Sequence, residues 1–409
     1  MSSAVTIRVA PLRKRSRHLA AIAVVAVALT ACGGSPSTST TASVDGDGCI
    51  TNFDPATDYF PDKSTALDAK NFSITYEKSY QVLRVNEPFP QGKPESFVLV
   101  KCGAPQPQLD GDLAKTTKIQ TPIKSLYSAS TTHLPLITAL GQLDVLKGVS
   151  NASYVTSPEV NQAIADGKVT EFAAGGTVNT EKVITNKPDV VMTQGTDDPA
   201  YPALRAAGIA VVPNAEYLEP TALGRAEWIK VMAALTGTEK KAAEVYDGIR
   251  TGYNDIAAKA RTVPKASVLP GTMYQGTWSM PAGGTYVGKL IADAGGTYPW
   301  ADDPSNKSLK LSFESVFAKA GTAPIWLVTS QWNTTADATK DDPRYGQLSA
   351  VKDGQVWSAT KVIGPGGGND FYERGDLRAD LVLGDLLAIM HPELSPGHEF
   401  TFYKPVPRP

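Results

Sequence analysis

From residue 124 onward, short runs of β-branched and apolar residues alternate with stretches of helical periodicity, and that alternation leaves few folds open. Strands are expected at 125–129, 189–193, 209–212, 266–269, 325–329 and 355–358, and helices at 134–146, 158–165 and 201–207. Strands that alternate with helices pair in parallel, because each return crossing is made by a helix packed on the sheet face. In the middle of the pattern Ala242, Val245, Ile249, Tyr253, Ile256 and Ala260 recur every three or four residues, as one face of a single long helix does. Thr236 and Glu239 have capping-box spacing at its start, and Pro264 ends it. Gly248 and Gly252 each weaken this helix by up to about 1 kcal/mol relative to Ala, so packing must hold it. The chain therefore reads as α/β, with helix-covered parallel sheets on both sides of a rigid connector.

The N-terminus bounds where the protein works. Arg13, Lys14, Arg15 and Arg17 precede an apolar run at 19–30. That run is shorter than the ~20 residues needed to cross a hydrocarbon core, so it reads as a signal peptide. It closes on Leu29-Thr30-Ala31-Cys32, which resembles a bacterial lipobox, in which the Cys is diacylated and becomes the mature N-terminus. An ordinary secretory signal with a chance Cys is the alternative; both place the protein outside the cytoplasm. Residues 1–31 are thus expected to be a lipoprotein signal peptide and 32–48, rich in Gly, Ser and Thr, a flexible tether. Cys49 and Cys102 remain as an even pair, expected as a disulfide in an oxidising compartment, with two free thiols as the alternative. The leader removes five Arg/Lys and no acid, leaving 34 basic against 41 acidic residues. A balance of about −7 argues against nucleic acid and against a cationic membrane-binding surface, so the lipid is the expected membrane contact. Residues 49–122 carry β-formers at 72–76, 80–85 and 97–100 and read as a β-rich elaboration without an assigned role.

The segments flanking the central helix echo each other. A short helix opening with Glu181 leads into a Pro-led apolar strand ending near Met192, and Glu314 opens the same plan up to Val328. With the leader and the connector, this plan resembles the rigid-helix (class III) solute-binding lipoproteins of importers driven by ATP-binding cassettes. That class binds ferric siderophores, haem and cobalamin. Tyr217-Leu-Glu-Pro-Thr-Ala-Leu-Gly-Arg-Ala-Glu-Trp228 and Asp380-Leu-Val-Leu-Gly-Asp-Leu-Leu-Ala-Ile-Met-His-Pro-Glu-Leu394 are similar to segments of its actinobacterial iron-uptake members. The resemblance covers roughly residues 124–394. It implies two αβα, Rossmann-like lobes joined by one long connector helix, with a ligand cleft between them: a first lobe at 123–225, a connector region at 226–263 and a second lobe at 264–409. It further implies a monomer without a cofactor that captures a ferric siderophore and delivers it to an ABC permease. Haem or cobalamin is the alternative ligand. An exported enzyme or cell-envelope interaction protein on the same fold is the alternative outside that class. In the family, acids matching Glu181 and Glu314 protrude from the lobe tops and dock on Arg groups of the permease. Read without it, both are solvated helix-start acids favoured by the helix dipole.

Ligands bind at the carboxyl ends of parallel strands, so the loops there supply the candidates. These are Tyr127, Thr132, His133, Tyr154 and Gln194 from the first lobe, and Tyr274, Trp278, Tyr286, Trp332, Tyr372 and Arg374 from the second. An aromatic body with a polar tip suits the edge of a large ring or a catecholate, and suits ordinary packing as well. A rigid connector implies a largely preformed cleft, with Trp278 and Trp332 as its expected walls. Arg374 and Arg378 could pair an anionic ligand, Arg378 alternatively being salt-bridged on its helix. His133 could serve haem iron or cobalt as an axial ligand, or be a hydrogen-bonded loop residue. Once His18 leaves with the leader, His133, His391 and His398 are too few for a Zn²⁺ or Mn²⁺ site, so no metal is expected to bind directly. Gly283-Gly-Thr-Tyr-Val-Gly-Lys289 matches the first seven positions of a phosphate-binding loop, but Leu290 replaces the needed Ser/Thr, so a turn into a helix is expected. With no Gly-x-Ser-x-Gly elbow and no distinct carboxylate pair, catalysis is not expected.

Overall fold

The apolar runs build two parallel sheets. The computed structural model describes residues 43–409; the leader, Cys32 with its expected lipid and most of the tether lie outside the described residues. The first sheet runs Thr170–Glu171, Leu146–Val149, Leu126–Ser128, Val190–Thr193, Ala210–Pro213, all parallel. Every residue of Val190–Thr193 and Ala210–Pro213 is buried, as continuous apolar strands are when helices cover both faces. The second sheet runs Gly296–Thr297, Ala266–Pro270, Ile325–Val328, Val356–Ser358, Lys404–Val406, with the last strand antiparallel. In each sheet the chain fills one side and then returns to the other. The reversal falls between Leu126–Ser128 and Val190–Thr193 in the first, and between Ala266–Pro270 and Ile325–Val328 in the second. Such switch points leave a crevice at the carboxyl ends of the strands.

The connector is Glu239–Ala260, 22 residues, or about 33 Å at 1.5 Å per residue. The expected capping box does not form. Thr236 ends the preceding helix Ile229–Thr236, and Gly237 closes that helix in the left-handed region at φ 68°, where glycine is favoured. Thr238 takes the N-cap position, and Glu239 is buried, accepting from Gln81 Nε2 at 2.8 Å. Its buried face is also turned slightly: Tyr246 and Ala257 are inside, while Val245 and Ile256 are only partly buried. Tyr246 is drawn in because its hydroxyl donates to Asp68 at 2.5 Å. The expected helix at 134–146 stops early, as Leu134–Ala139. Gly141 at φ 70° breaks it, and the chain re-enters as the strand Leu146–Val149. A three-stranded antiparallel sheet, Thr272–Tyr274, Thr277–Pro281 and Ser308–Leu311, was not foreseen. No helix among the described residues is long and apolar enough to cross a membrane.

Residues 49–122 hold a four-stranded sheet of Phe72–Tyr76, Tyr80–Val85, Glu95–Lys101 and Thr117–Thr121, the last strand parallel to its neighbour. Cys49 and Cys102 are joined by a disulfide across 53 residues; the chain-entropy model gives such a closure about 4 kcal/mol. Two buried acids dock this segment. The Glu227 carboxylate accepts the backbone N–H groups of Leu67, Asp68 and Ala69 at 2.7–3.0 Å and pairs with Lys230 at 2.6 Å. Glu219 accepts those of Lys70 and Asn71 and the Trp228 indole. Each charge is satisfied, which is the condition for burying it.

Candidate functional site

The switch point of the second lobe is hollow. A cavity of about 400 Å³ has Pro270, Gly271 and Thr272 on one wall and Leu327, Val328 and Thr329 on the next. Tyr286, Val287, Phe371, Tyr372 and Tyr403 make its lining largely aromatic and apolar, and Arg225 reaches it from the helix Ala222–Ala226 before the connector. Tyr286 is placed by the glycine-rich stretch, which is a turn into the helix Tyr286–Asp293 capped by Thr285, whose Oγ1 accepts from the Gly288 N–H at 3.0 Å. At the wall, Gly271 sits at φ +86°, and a Cβ there would lie 2.2 Å from Ser279 O. Two indoles hold this turn from behind: Trp278 donates to Pro270 O at 3.1 Å and Trp326 to Gly271 O at 2.8 Å.

Trp278 is therefore a support, not a wall. It is fully buried against Trp326 and Tyr345. Trp332 is likewise packed on Trp326 and Tyr345, with its indole donating to Asp341 at 2.7 Å. A large apolar ring with one N–H is best placed where packing covers the ring and a fixed acceptor meets the donor. Tyr127 is buried against Phe172. His133 is also wholly buried, with Nδ1 2.9 Å from Ser128 Oγ, and burial pushes its pKa down to about 3. Tyr154, Gln194 and Tyr274 are exposed and outside the cavity wall. Thr132 donates to Glu216 at 2.7 Å. Arg374 pairs with Asp370 at 2.7 Å beside a second cavity of about 360 Å³. Arg378 pairs with Asp380 at 2.7 Å. Of the expected ligand residues, the structure brings Tyr286 and Tyr372 together around the larger cavity. Glu181 and Glu314 are exposed in the first turns of Thr180–Asn186 and Phe313–Ala320, Glu314 paired with Arg344 at 3.1 Å.

Sequence reasoning missed the polar cluster where the lobes meet. Arg225 donates from Nη2 to Tyr217 O at 2.8 Å, pairs with Asp376 at 3.3 Å, and lies 4.0 Å from the Tyr286 ring centre. Glu216 is buried nearby, and its Oε2 has no hydrogen-bond partner among the described residues. Burial, then repulsion from Asp376, pushes the Glu216 carboxyl up to about 7. Burial also raises Asp376, against the pull of Arg225. The visible signal was a set of charges inside an otherwise apolar stretch, residues 215–235.

A raised carboxyl binds its proton more tightly folded than unfolded. Its contribution is fully present below the unfolded pKa near 4.5 and is lost as pH rises through about 7. Glu216→Gln keeps an acceptor for Thr132 but cannot ionise. Its stability relative to wild type should rise between pH 4.5 and 7.5 by about 3 kcal/mol, at 1.36 kcal/mol per pKa unit. Denaturant unfolding of both proteins across that range checks this; a difference independent of pH contradicts it.

The profile of a family described as periplasmic binding protein matches residues 125–362. An uncharacterised lipoprotein of Methanocaldococcus jannaschii is 28% identical over 296 residues, covering 70% of this chain and 69% of the relative. A second lipoprotein of that organism is 26% identical over 321 residues, covering 74% and 78%. Among solved structures, a possible iron-binding, periplasmic solute-binding protein of Staphylococcus epidermidis superposes with a TM-score of 0.52 at 18% identity, over 66% of this chain and 100% of its own. A periplasmic haem-binding protein of Pseudomonas aeruginosa also gives 0.52 at 18%, over 70% and 99%. At such identity the likeness is one of fold.

Proposed function

The chain belongs to the periplasmic binding protein family, and from that premise we propose that it captures a ferric siderophore outside the cytoplasm and passes it to an ABC permease, held at the membrane by a lipid on Cys32. The observation that carries this reading is the cavity at the second-lobe switch point, where Tyr286, Phe371, Tyr372 and Tyr403 surround Arg225. Aromatic faces suit the rings of a chelate, and a guanidinium answers its anionic oxygens. The iron-binding description of the Staphylococcus epidermidis protein supports the cargo, and the lipoprotein relatives support the anchor. Burial of His133 weighs against haem held through that residue. Titrating the lipid-free mature protein with a ferric trishydroxamate, a ferric triscatecholate, haemin and cyanocobalamin tests the reading. A ferric siderophore should quench Trp fluorescence saturably. A Soret shift with haemin alone would move the assignment to haem, and no saturable binding would end the importer reading.

Glu181 and Glu314 act at delivery, where charge pairs set register and on-rate more than affinity. Replacing both by Ala should leave the solution affinity for the bound solute within about twofold while uptake by cells falls at least tenfold. A double variant that loses affinity and still supports uptake contradicts the role.

A further inference from the structure

Two cavities lie back to back across one short helix. Asp370, Glu373 and Arg374 face the space of about 360 Å³, whose opposite wall includes Thr156 and Ser157 of the first lobe. Phe371 and Tyr372, from the other side of the same turn, face the space of about 400 Å³. The spacing is helical, since positions three and four apart share a side.

Within its own lobe this helix is held by buried Phe371, packed on Phe402 and Tyr403, and by the side-chain cap of Asn369; a second hold crosses the cleft. Glu373 is 2% exposed, and its carboxylate accepts the backbone N–H of Thr156 at 2.7 Å and of Ser157 at 2.8 Å. The Thr156 hydroxyl donates to Asp370 at 3.2 Å. Just before the helix, Gly364-Pro-Gly-Gly-Gly368 lies against first-lobe backbone, and the Gly366 N–H donates to Ser153 O at 2.8 Å. Here glycine is required for close approach: a Cβ on Gly368 would lie 1.8 Å from Tyr154 O, and one on Gly366 2.1 Å from Ser153 Oγ. The contact thus includes polar bonds and closely approaching glycine backbone. Glycine loses the most conformational freedom on ordering, so a seal of this composition opens more easily than the packed sheets around it.

We propose that the two cavities are the two ends of one solute site, divided in the closed protein by the helix Asp370–Glu373, and that Glu373 is its latch. When the carboxylate leaves the Thr156 and Ser157 amides, the glycine loop carries the divider aside. The merged space then takes a ligand larger than either cavity. Pockets that enclose a whole ligand run from ~300 to 1,000 Å³, and each cavity alone sits near the lower limit. The ligand class that fits is a bulky one, with a flat or apolar part for Tyr286, Phe371 and Tyr403 and a hydrogen-bonding part for Thr156 and Arg374. This inference rests on the cleft being a solute site.

Two variants of the full mature protein test it without knowledge of the cargo. Glu373→Gln places an amide N–H₂ against backbone donors, so the Thr156 and Ser157 amides should exchange hydrogen at least tenfold faster, with Val190–Thr193 unchanged. A Cβ built on Gly366 lies 2.7 Å from Ser153 Cβ, inside the ~3.5–4.5 Å of a disulfide, so the pair Ser153→Cys and Gly366→Cys can be bridged once the loop eases back by about 1 Å. Oxidised, that pair should take up the anionic aromatic dye 1-anilinonaphthalene-8-sulfonate at least tenfold more slowly than Glu373→Gln. Reduction should restore the rate, with equally treated wild type as control. Unchanged amide exchange in Glu373→Gln, or dye uptake by the oxidised pair at the Glu373→Gln rate, overturns the latch. If the latch behaves as stated and no siderophore, haemin or cobalamin binds wild type, the proposed cargo fails and the divided cleft stands.

Discussion

Glu227→Ala is expected to destabilise the protein by about 3–5 kcal/mol, the range for stranding one partner of a buried ion pair. Glu227 is fully buried and Lys230 nearly so, their charged atoms 2.6 Å apart. Removing the carboxylate leaves the ammonium with Thr65 O and the face of the Tyr246 ring. It also strips the acceptor from three consecutive backbone N–H groups at Leu67, Asp68 and Ala69. Because those amides belong to the segment that carries the disulfide and the N-terminal sheet, proteolysis should strike near residues 65–71 before the lobes unfold. Urea unfolding measures the loss, with exposed Glu181→Ala as a control that shifts stability by less than about 0.5 kcal/mol. A loss below about 1 kcal/mol for Glu227→Ala would mean that the acid is not the clamp its contacts describe.

Trp278→Ala separates the two possible roles of this indole. A cleft wall would lose about 1–3 kcal/mol of binding and keep its fold. A buried support loses about 3–5 kcal/mol of stability, the cost of truncating a core Trp. The structure favours the second outcome, because Trp278 is fully buried, packs at a tilt on Trp326 and edge-to-face on Tyr345, and donates to Pro270 O. Binding should weaken as well, since the Pro270–Gly271 turn forms the cavity wall. Thermal unfolding read alongside solute titration decides it. A variant with wild-type stability and reduced affinity would return Trp278 to the wall.

The strands were legible because each carries a short apolar run: the expected 189–193 and 266–269 differ from Val190–Thr193 and Ala266–Pro270 by one residue. Helix ends were less so. Gly141 and Gly237 carry the left-handed backbone that stops the helices before them; the expected helix 134–146 runs through the first, and the expected capping box places the second in the first turn of the connector. Which loops reach the cleft follows from strand direction, but which side chains turn into it depends on register. In Thr277–Pro281 the alternation of Thr277 and Ser279 with Trp278 and Met280 marks Trp278 as the inward residue, a signal present in the sequence and not used. The roles of Glu219 and Glu227 were not legible, because their amide partners come from residues roughly 150 positions away. Local pattern carries no trace of such pairs. Arg225 shares that difficulty, since it pairs with Asp376 only when the lobes meet, and Glu216 takes its partner Thr132 from 84 positions away within the first lobe.

If the solute sits at the switch point of the second lobe, Tyr286 is the residue to change. Its ring lines the cavity and lies 4.0 Å from the Arg225 guanidinium, while its helix is anchored independently by Thr285. Calorimetric titration of wild type and Tyr286→Ala with the solute that binds wild type best is the direct measurement. Affinity should fall about 10- to 100-fold, the cost of removing a well-buried aromatic contact at a binding surface, with the unfolding midpoint little changed. Equal affinity for the two proteins would place the solute elsewhere.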